Sequence, residues 1–279
     1  MDFEAFLAAC RAEWREFDDE TSLANVAHPR DRGLRLLLDA IPGMATENKL
    51  TLLNRAVAHM VRGEVYVEIG CFHRLSLAGA LTAHPDVPAF ACDDFSEFGG
   101  PRAELPKTLA AWTAPGQVRF HDMDFRRFLA DAPWAPARVG VYFYDGPHDF
   151  DDQFVALQAM LPHLAPDAVV IVDDTNWRHV RAANRFFAAH VPGFDLVRSI
   201  RTRSGSSPAW WNGVEVFRWR GRPGTVLRTP DGYAARRRYW DGAYLRLARA
   251  WWETRAAVAA VPGARRAWHA WSARRRGLR

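Results

Sequence analysis

Two apolar runs dominate the middle of the chain. Residues 139–144 (VGVYFY) and 168–172 (AVVIV) are continuous, β-branched or aromatic, and each stops abruptly at acid: Asp145 after the first, Asp173 and Asp174 after the second. Such runs predict strands buried on both faces, as in a parallel sheet. Between them Phe154, Leu157, Met160, Leu161 and Leu164 recur at helical spacing, and Pro166 closes the pattern. Strand, helix and strand predict a right-handed crossover with the two strands as parallel neighbours. Neighbouring strands lie about 4.8 Å apart, so the pattern predicts three carboxylates side by side at one rim of a sheet.

The rest of the chain extends this picture. Residues 2–17 place Phe3, Phe6, Leu7, Cys10, Trp14 and Phe17 on one helical stripe. Residues 32–41 are helical up to Pro42-Gly43, and Thr46 caps a third helix that stops at Gly63. These helices are expected to cover a sheet edge, roof the site or form a dimer. Residues 64–70 (EVYVEIG) are a strand and a glycine turn before a helix at 76–82, the first half of a doubly wound fold. Further strands are expected at 88–92, ending in Asp93-Asp94, and at 117–120, followed by Asp122 and Asp124. Residues 196–201 and 214–219 read as an antiparallel finish. The expected fold is α/β: a Rossmann-like, doubly wound, mostly parallel sheet with an antiparallel final strand, an N-terminal helical cover and a C-terminal helical extension. The expected domains are 1–62, 63–220 and 221–279.

Composition changes this little. The chain has 279 residues, 49% hydrophobic and 25% charged, which suits one sizeable core with appendages. No apolar run reaches membrane-spanning length. Met1-Asp2-Phe3-Glu4 is acidic where a secretory signal is basic, and Cys10, Cys71 and Cys92 are scattered without metal spacing. A cytoplasmic protein with reduced thiols is expected. Almost all the basic residues are Arg, with Lys only at 49 and 107. GC-rich coding explains that bias as readily as function does, so the basic pI says little about partners.

Three clustered carboxylates repel one another unless a positive charge sits among them. A divalent cation is the economical solution, and magnesium suits oxygen ligands. His148, three residues after Asp145, points into the same crevice. For a single acid, a strand-end or turn role is the better reading; for three acids and a histidine on neighbouring strand ends, a site is. An acid at the end of the second strand, Asp93, is placed for a ribose diol. A nicotinamide enzyme is disfavoured because G-x-G-x-x-G does not follow the first strand.

The order VEIG, CDDF, FYDGPH, VIVDDTNW resembles class I S-adenosylmethionine-dependent methyltransferases. Within them it is most similar to the metal-dependent sugar O-methyltransferases of the macrocin and mycinamicin type, over roughly residues 44–219. The D-G-x-H segment followed one crossover later by D-D carries most of the likeness. The resemblance implies that Asp145, Asp173 and Asp174 hold Mg2+ and that His148 is the base. It further implies that Glu68, Gly70 and the turn through Ser76 cradle the methionine part of S-adenosylmethionine, and that Asp93 takes the ribose. Asp122 or Asp124 would lie near adenine. One departure stands out: Arg74 occupies a position where the family turn has a second glycine. It implies a shifted cofactor, a weaker one, or an arginine recruited to the substrate.

Asn176 reads as a group near the metal or as the cap of the next helix. In the SGSSPAWWNG loop, Trp210 and Trp211 offer flat faces to a pyranose and Asn212 a hydrogen bond to a hydroxyl, although alternating geometry sends one of two adjacent tryptophans into a core. Beyond a linker at Arg222-Pro223-Gly224, Trp240, Tyr244, Leu247, Trp251 and Val258 repeat at heptad-like spacing among arginines. A second stretch, 264–279, mixes Trp268 and Trp271 with five arginines before its last three residues. The protein is expected to form a homo-oligomer; the tail is expected to pack on its own protein, with a dimer contact and an anionic membrane surface as the alternatives. A nucleic-acid role has no fold motif behind it. The expected activity is metal-assisted O-methylation of a sugar or glycoside hydroxyl. The alternative is a Rossmann-fold binding or scaffold protein with poor cofactor affinity that acts through its basic tail.

Overall fold

In the computed structural model, residues 1–96, 102 and 105–260 are described. The chain divides into two compact units, Met1–Pro230 and Asp231–Arg279.

The first unit is built on a seven-stranded sheet. Its strands are β1 (Glu64–Ile69), β2 (Ala89–Cys92), β3 (Val118–His121), β4 (Arg138–Tyr144), β5 (Leu164–Asp173), β6 (Phe194–Ile200) and β7 (Val214–Trp219). They lie in the order β3-β2-β1-β4-β5-β7-β6. Strands β1 to β5 are mutually parallel, and β7 runs antiparallel to both β5 and β6. The expected fold class is therefore the observed one. The order reverses at β1, where β2 lies on one side and β4 on the other, and the crevice outside that point is where such sheets bind ligands.

Between the strands run α5 (Leu75–Leu81), α6 (Leu105–Trp112), α7 (Phe125–Asp131), α8 (Phe150–Met160) and α9 (Arg178–His190). The helix before β5 stops at Met160, and a single 3-10 turn through Pro162 carries the chain into the strand at Leu164. Pro166, expected to close the helix, instead lies within β5. There the pairing with β4 jumps from Val139↔Leu164 to Val141↔Val169, so the irregularity absorbs a residue that cannot donate to the ladder.

Four helices precede the sheet: α1 (Phe3–Glu13), α2 (Glu20–Leu23), α3 (Arg35–Ala40) and α4 (Glu47–Ala58). The three roles open to them resolve into a different one: they cover one face of the sheet. Phe3, Phe6, Cys10, Trp14 and Phe17 pack with Leu52, Leu53 and Val57 against Tyr66, Val141, Phe143, Val169, Ile171, Val214 and Val216, which alternate along the strands. Thr46 caps α4 as expected, its hydroxyl accepting from the Lys49 N–H. Helix α4 is buried almost all round, because α3 and α5 cover its outer side through Leu34, Leu37, Ile41, Leu75 and Ala78 around Leu50. On the opposite face, Phe154, Phe186 and Phe187 of α8 and α9 pack as an aromatic layer that reaches Phe194.

In the second unit, α10 (Tyr233–Arg237) passes through a π-helical stretch, Arg238–Tyr244, into α11 (Leu245–Ala260). Leu247, Trp251 and Trp252 are exposed. The stretch expected at 264–279, with Trp268 and Trp271, lies outside the described residues, as does the side chain of Val258.

Candidate active site

Strand register brings the site together. Ile69 stands opposite Cys92 on one side and Tyr144 on the other, and Tyr144 stands opposite Val172. The residues that follow, Gly70, Asp93, Asp145 and Asp173, are thereby set abreast at the carboxyl rim.

Gly70 is required there. Its φ is +83°, and a Cβ at this position would lie 2.0 Å from the carbonyl oxygen of Asp145. Only glycine permits both the turn and the approach. The turn is fastened by Asp93, whose Oδ2 accepts from the N–H groups of Cys71 (2.9 Å) and Phe72 (2.7 Å) and whose Oδ1 accepts from Phe95 (2.8 Å). Glu68 is wholly buried and accepts from the hydroxyls of Ser76 (2.6 Å) and Tyr66 (2.5 Å). Burial pushes its carboxyl up to about 7, against the opposing pull of these two hydrogen bonds.

Arg74 stands in a backbone conformation that glycine adopts more easily than arginine. It caps α5 with φ +66°, the left-handed region. Its side chain is fully buried, with the guanidinium 5.5 Å from the ring centre of Phe95 and 5.9 Å from that of Phe120. It therefore lies among aromatic rings near the ends of β2 and β3.

The acidic cluster forms across the rim. His148 directs Nε2 at Asp174 Oδ2 (3.4 Å) and Asp145 Oδ1 (3.6 Å). One donor atom from each of Asp145, His148 and Asp174 lies within 4.8 Å of the others, a spacing that a single ion can span. Trp177 stands edge-on against the imidazole, 5.2 Å between ring centres, and His148 Nδ1 is buried with no hydrogen-bond partner among the described residues. Loss of hydration and then the charge of Asp173 raise both the Asp145 and the Asp174 carboxyl. Burial alone would lower the His148 imidazole, but the facing carboxylates outweigh it and hold it above its ordinary value. Two facing carboxylates suit a divalent cation, and their raised carboxyls mark a shortage of positive charge, so Asp145 and Asp174 fit one, with the imidazole beside them. Asp174 adopts φ +56°, a conformation aspartate tolerates better than most residues. Asn212 hydrogen-bonds its carboxylate.

Asp173 is placed otherwise. It is buried against Lys49 of α4, whose Nζ lies 2.5 Å from both carboxylate oxygens, and its Oδ1 also accepts from the Asp174 N–H at 2.6 Å. Sequence reasoning missed Lys49. The available signal was its rarity: one of two lysines in an arginine-rich chain, set inside an apolar helical pattern.

The other expected residues divide. Trp210 is a core residue, fully buried, 5.3 Å from Trp14 between ring centres and donating to the Leu23 carbonyl at 2.8 Å. The expectation that it meets a sugar is corrected: helix α1 claims its ring. Trp211 remains half-buried, as the alternation required. Asn176 anchors the loop between β6 and β7, exchanging hydrogen bonds with Thr202. Asp124 caps α7 through the N–H groups of Arg126 and Arg127, and Asp122 pairs with Arg102 at 2.7 Å.

Residues 67–175 match the model of a family described as a methyltransferase domain. None of the curated proteins matches the chain. Among solved structures, it is similar to the O-methyltransferase TomG of Streptomyces achromogenes, involved in tomaymycin synthesis and solved in complex with SAM (18% identity, 79% of this chain and 100% of that one, TM-score 0.53). It is also similar to a putative O-methyltransferase of Klebsiella pneumoniae (14%, 75% and 100%, 0.51). A third is a putative caffeoyl-CoA O-methyltransferase of Staphylococcus aureus (13%, 68% and 93%, 0.51). The matched segment runs from within β1 through β4 to the end of β5, and the chain has the fold of solved O-methyltransferases.

Proposed function

We propose that this protein transfers the methyl group of S-adenosylmethionine to a hydroxyl of a sugar or glycoside, assisted by a divalent cation. The observation that carries this reading is His148 Nε2 facing Asp145 and Asp174 across the rim beside the Gly70 turn. The methyltransferase-domain match and the likeness to a structure solved with SAM support the cofactor. The turn through Gly70, with Glu68 and Ser76 beneath it, is the place for the methionine part, and Asp93 beside it for the ribose.

Asp145 and Asp174 would hold the cation, which would supply positive charge that makes a nearby hydroxyl easier to deprotonate. His148 takes the proton at Nε2, and the two carboxylates stabilise the imidazolium that results. Trp177 keeps the ring edge-on and shields it from water. Asn212 steadies Asp174, and the half-buried Trp211 next to it offers a face for the acceptor.

Asp145→Ala and Asp174→Ala, assayed with saturating magnesium or manganese, are expected to lose methyl transfer by ~100-fold or more. S-adenosylhomocysteine should still bind to both by calorimetry. Full activity in both variants rejects the metal-assisted mechanism. No binding of S-adenosylhomocysteine to the unaltered protein rejects the enzyme reading in favour of a scaffold.

For the second unit, the partner in this reading is an anionic bilayer surface. Exposed Leu247, Trp251 and Trp252 among arginines are what such a surface takes.

A further inference from the structure

Helix α4 delivers a positive charge to the rim from outside the methyltransferase core. Its position is fixed on several sides. Thr46 Oγ1 and Asn48 Nδ2 donate to the Ala209 carbonyl at 2.9 and 3.0 Å, Asn48 Nδ2 also donates to Val26, and Trp14 Nε1 donates to Asn48 Oδ1. Lys49 is thereby held with 1% exposure and spends its ammonium on Asp173. Both lone pairs of Asp173 Oδ1 are used, by Lys49 and by the Asp174 N–H, and Oδ2 faces the same ammonium. Asp145 and Asp174 turn toward His148 instead.

We propose that Lys49 is a positioning residue: a resident cation that clamps Asp173 out of the metal's ligand sphere, leaving Asp145 and Asp174 as the carboxylate ligands beside His148. The metal half of this statement rests on the function proposed above. The physical reason is charge. Three carboxylates around one divalent ion leave a net negative, tightly binding centre, and affinity at such sites is tuned by ligand charge count. With Lys49 satisfying one of them, the remaining two match the ion. The same pair ties the N-terminal cover to the reacting end of β5.

The test is manganese binding to the metal-free full-length protein, followed by electron paramagnetic resonance, together with thermal melts. Asp145→Asn and Asp174→Asn should each weaken manganese at least tenfold, whereas Asp173→Asn should stay within threefold of the unaltered protein. Lys49→Met, which frees Asp173 to coordinate, should tighten manganese at least threefold. The double variant Lys49→Met/Asp173→Asn should return to within threefold and recover melting temperature lost by Lys49→Met. Asp173→Asn weakening manganese as much as Asp174→Asn overturns the proposal, as does Lys49→Met leaving affinity unchanged or lower. If Lys49→Met does not fold, Asp173→Asn and the double variant decide. If the unaltered protein binds no manganese at millimolar concentration, the metal reading falls. The melts then decide the clamp: it stands if the double variant melts no lower than Lys49→Met, and is overturned if the two losses add.

Discussion

Glu68 carries a pH dependence that can be measured apart from catalysis. Its carboxyl is buried, hydrogen-bonded by Tyr66 and Ser76, and raised to about 7 in the fold from an ordinary value of 4.5. Between those two values the folded protein binds more protons at this residue than the unfolded chain does. Its contribution to stability is therefore unchanged below pH 4.5, falls as pH rises toward 7, and is fully lost above 7, by up to ~3 kcal/mol. Glu68→Gln keeps the shape and removes the titration. Melting temperatures across pH 5 to 8 should fall less steeply for the variant than for the unaltered protein, and equal slopes would refute the assignment. The chemistry of this residue was legible only in part. VEIG marks a strand end with an acid, but burial of both oxygens depends on Tyr66 and on Ser76, eight residues away across a turn. Lys49 is harder still: it meets Asp173 across 124 positions, and no periodicity links a helix residue to a strand end that distant.

Elements were easier to read than their partners. Strand identity follows from apolar runs, and register then places Asp145 beside Asp173 with no further information. The helices ahead of β1 were visible as amphipathic stripes, yet a stripe names no partner, so their seat on the sheet face emerged only from the packing of Phe6, Trp14 and Leu53. The loop between β6 and β7 gives a clean contrast. Trp210→Ala removes a ring wholly enclosed by the cover, and should cost ~3–5 kcal/mol of stability, read as a lowered denaturation midpoint. Trp211→Ala removes a half-buried ring and should leave that midpoint nearly unchanged while raising KM for the acceptor. A large loss of stability in Trp211→Ala with none in Trp210→Ala would reverse the assignment of the two rings.

At the scale of the molecule, charge is sorted between the units. The chain's net charge is +5, and residues 231–279 hold 12 arginines against three acids, so the first 230 residues have a net charge of −4. Near an anionic surface each arginine contributes about 1 kcal/mol, screened by salt. The full chain should sediment with vesicles containing phosphatidylserine at low ionic strength, be released at ~0.5 M salt, and ignore neutral vesicles. Equal sedimentation with neutral lipid, or none with either, would remove the bilayer as partner and leave the basic helices to other duties. No helix among the described residues is long and apolar enough to cross a membrane.

The buried pair between α4 and the end of β5 has an evolutionary corollary. A sheet recombined with a foreign helical cap would inherit Asp173 without its counter-ion, stranding an anion in the interior, and a borrowed cap would bring a lysine with nothing to answer it. Two segments separated by most of the sheet are thus bound to travel as one heritable module, and lineages that exchange one half should be found to have exchanged, or neutralised, the other.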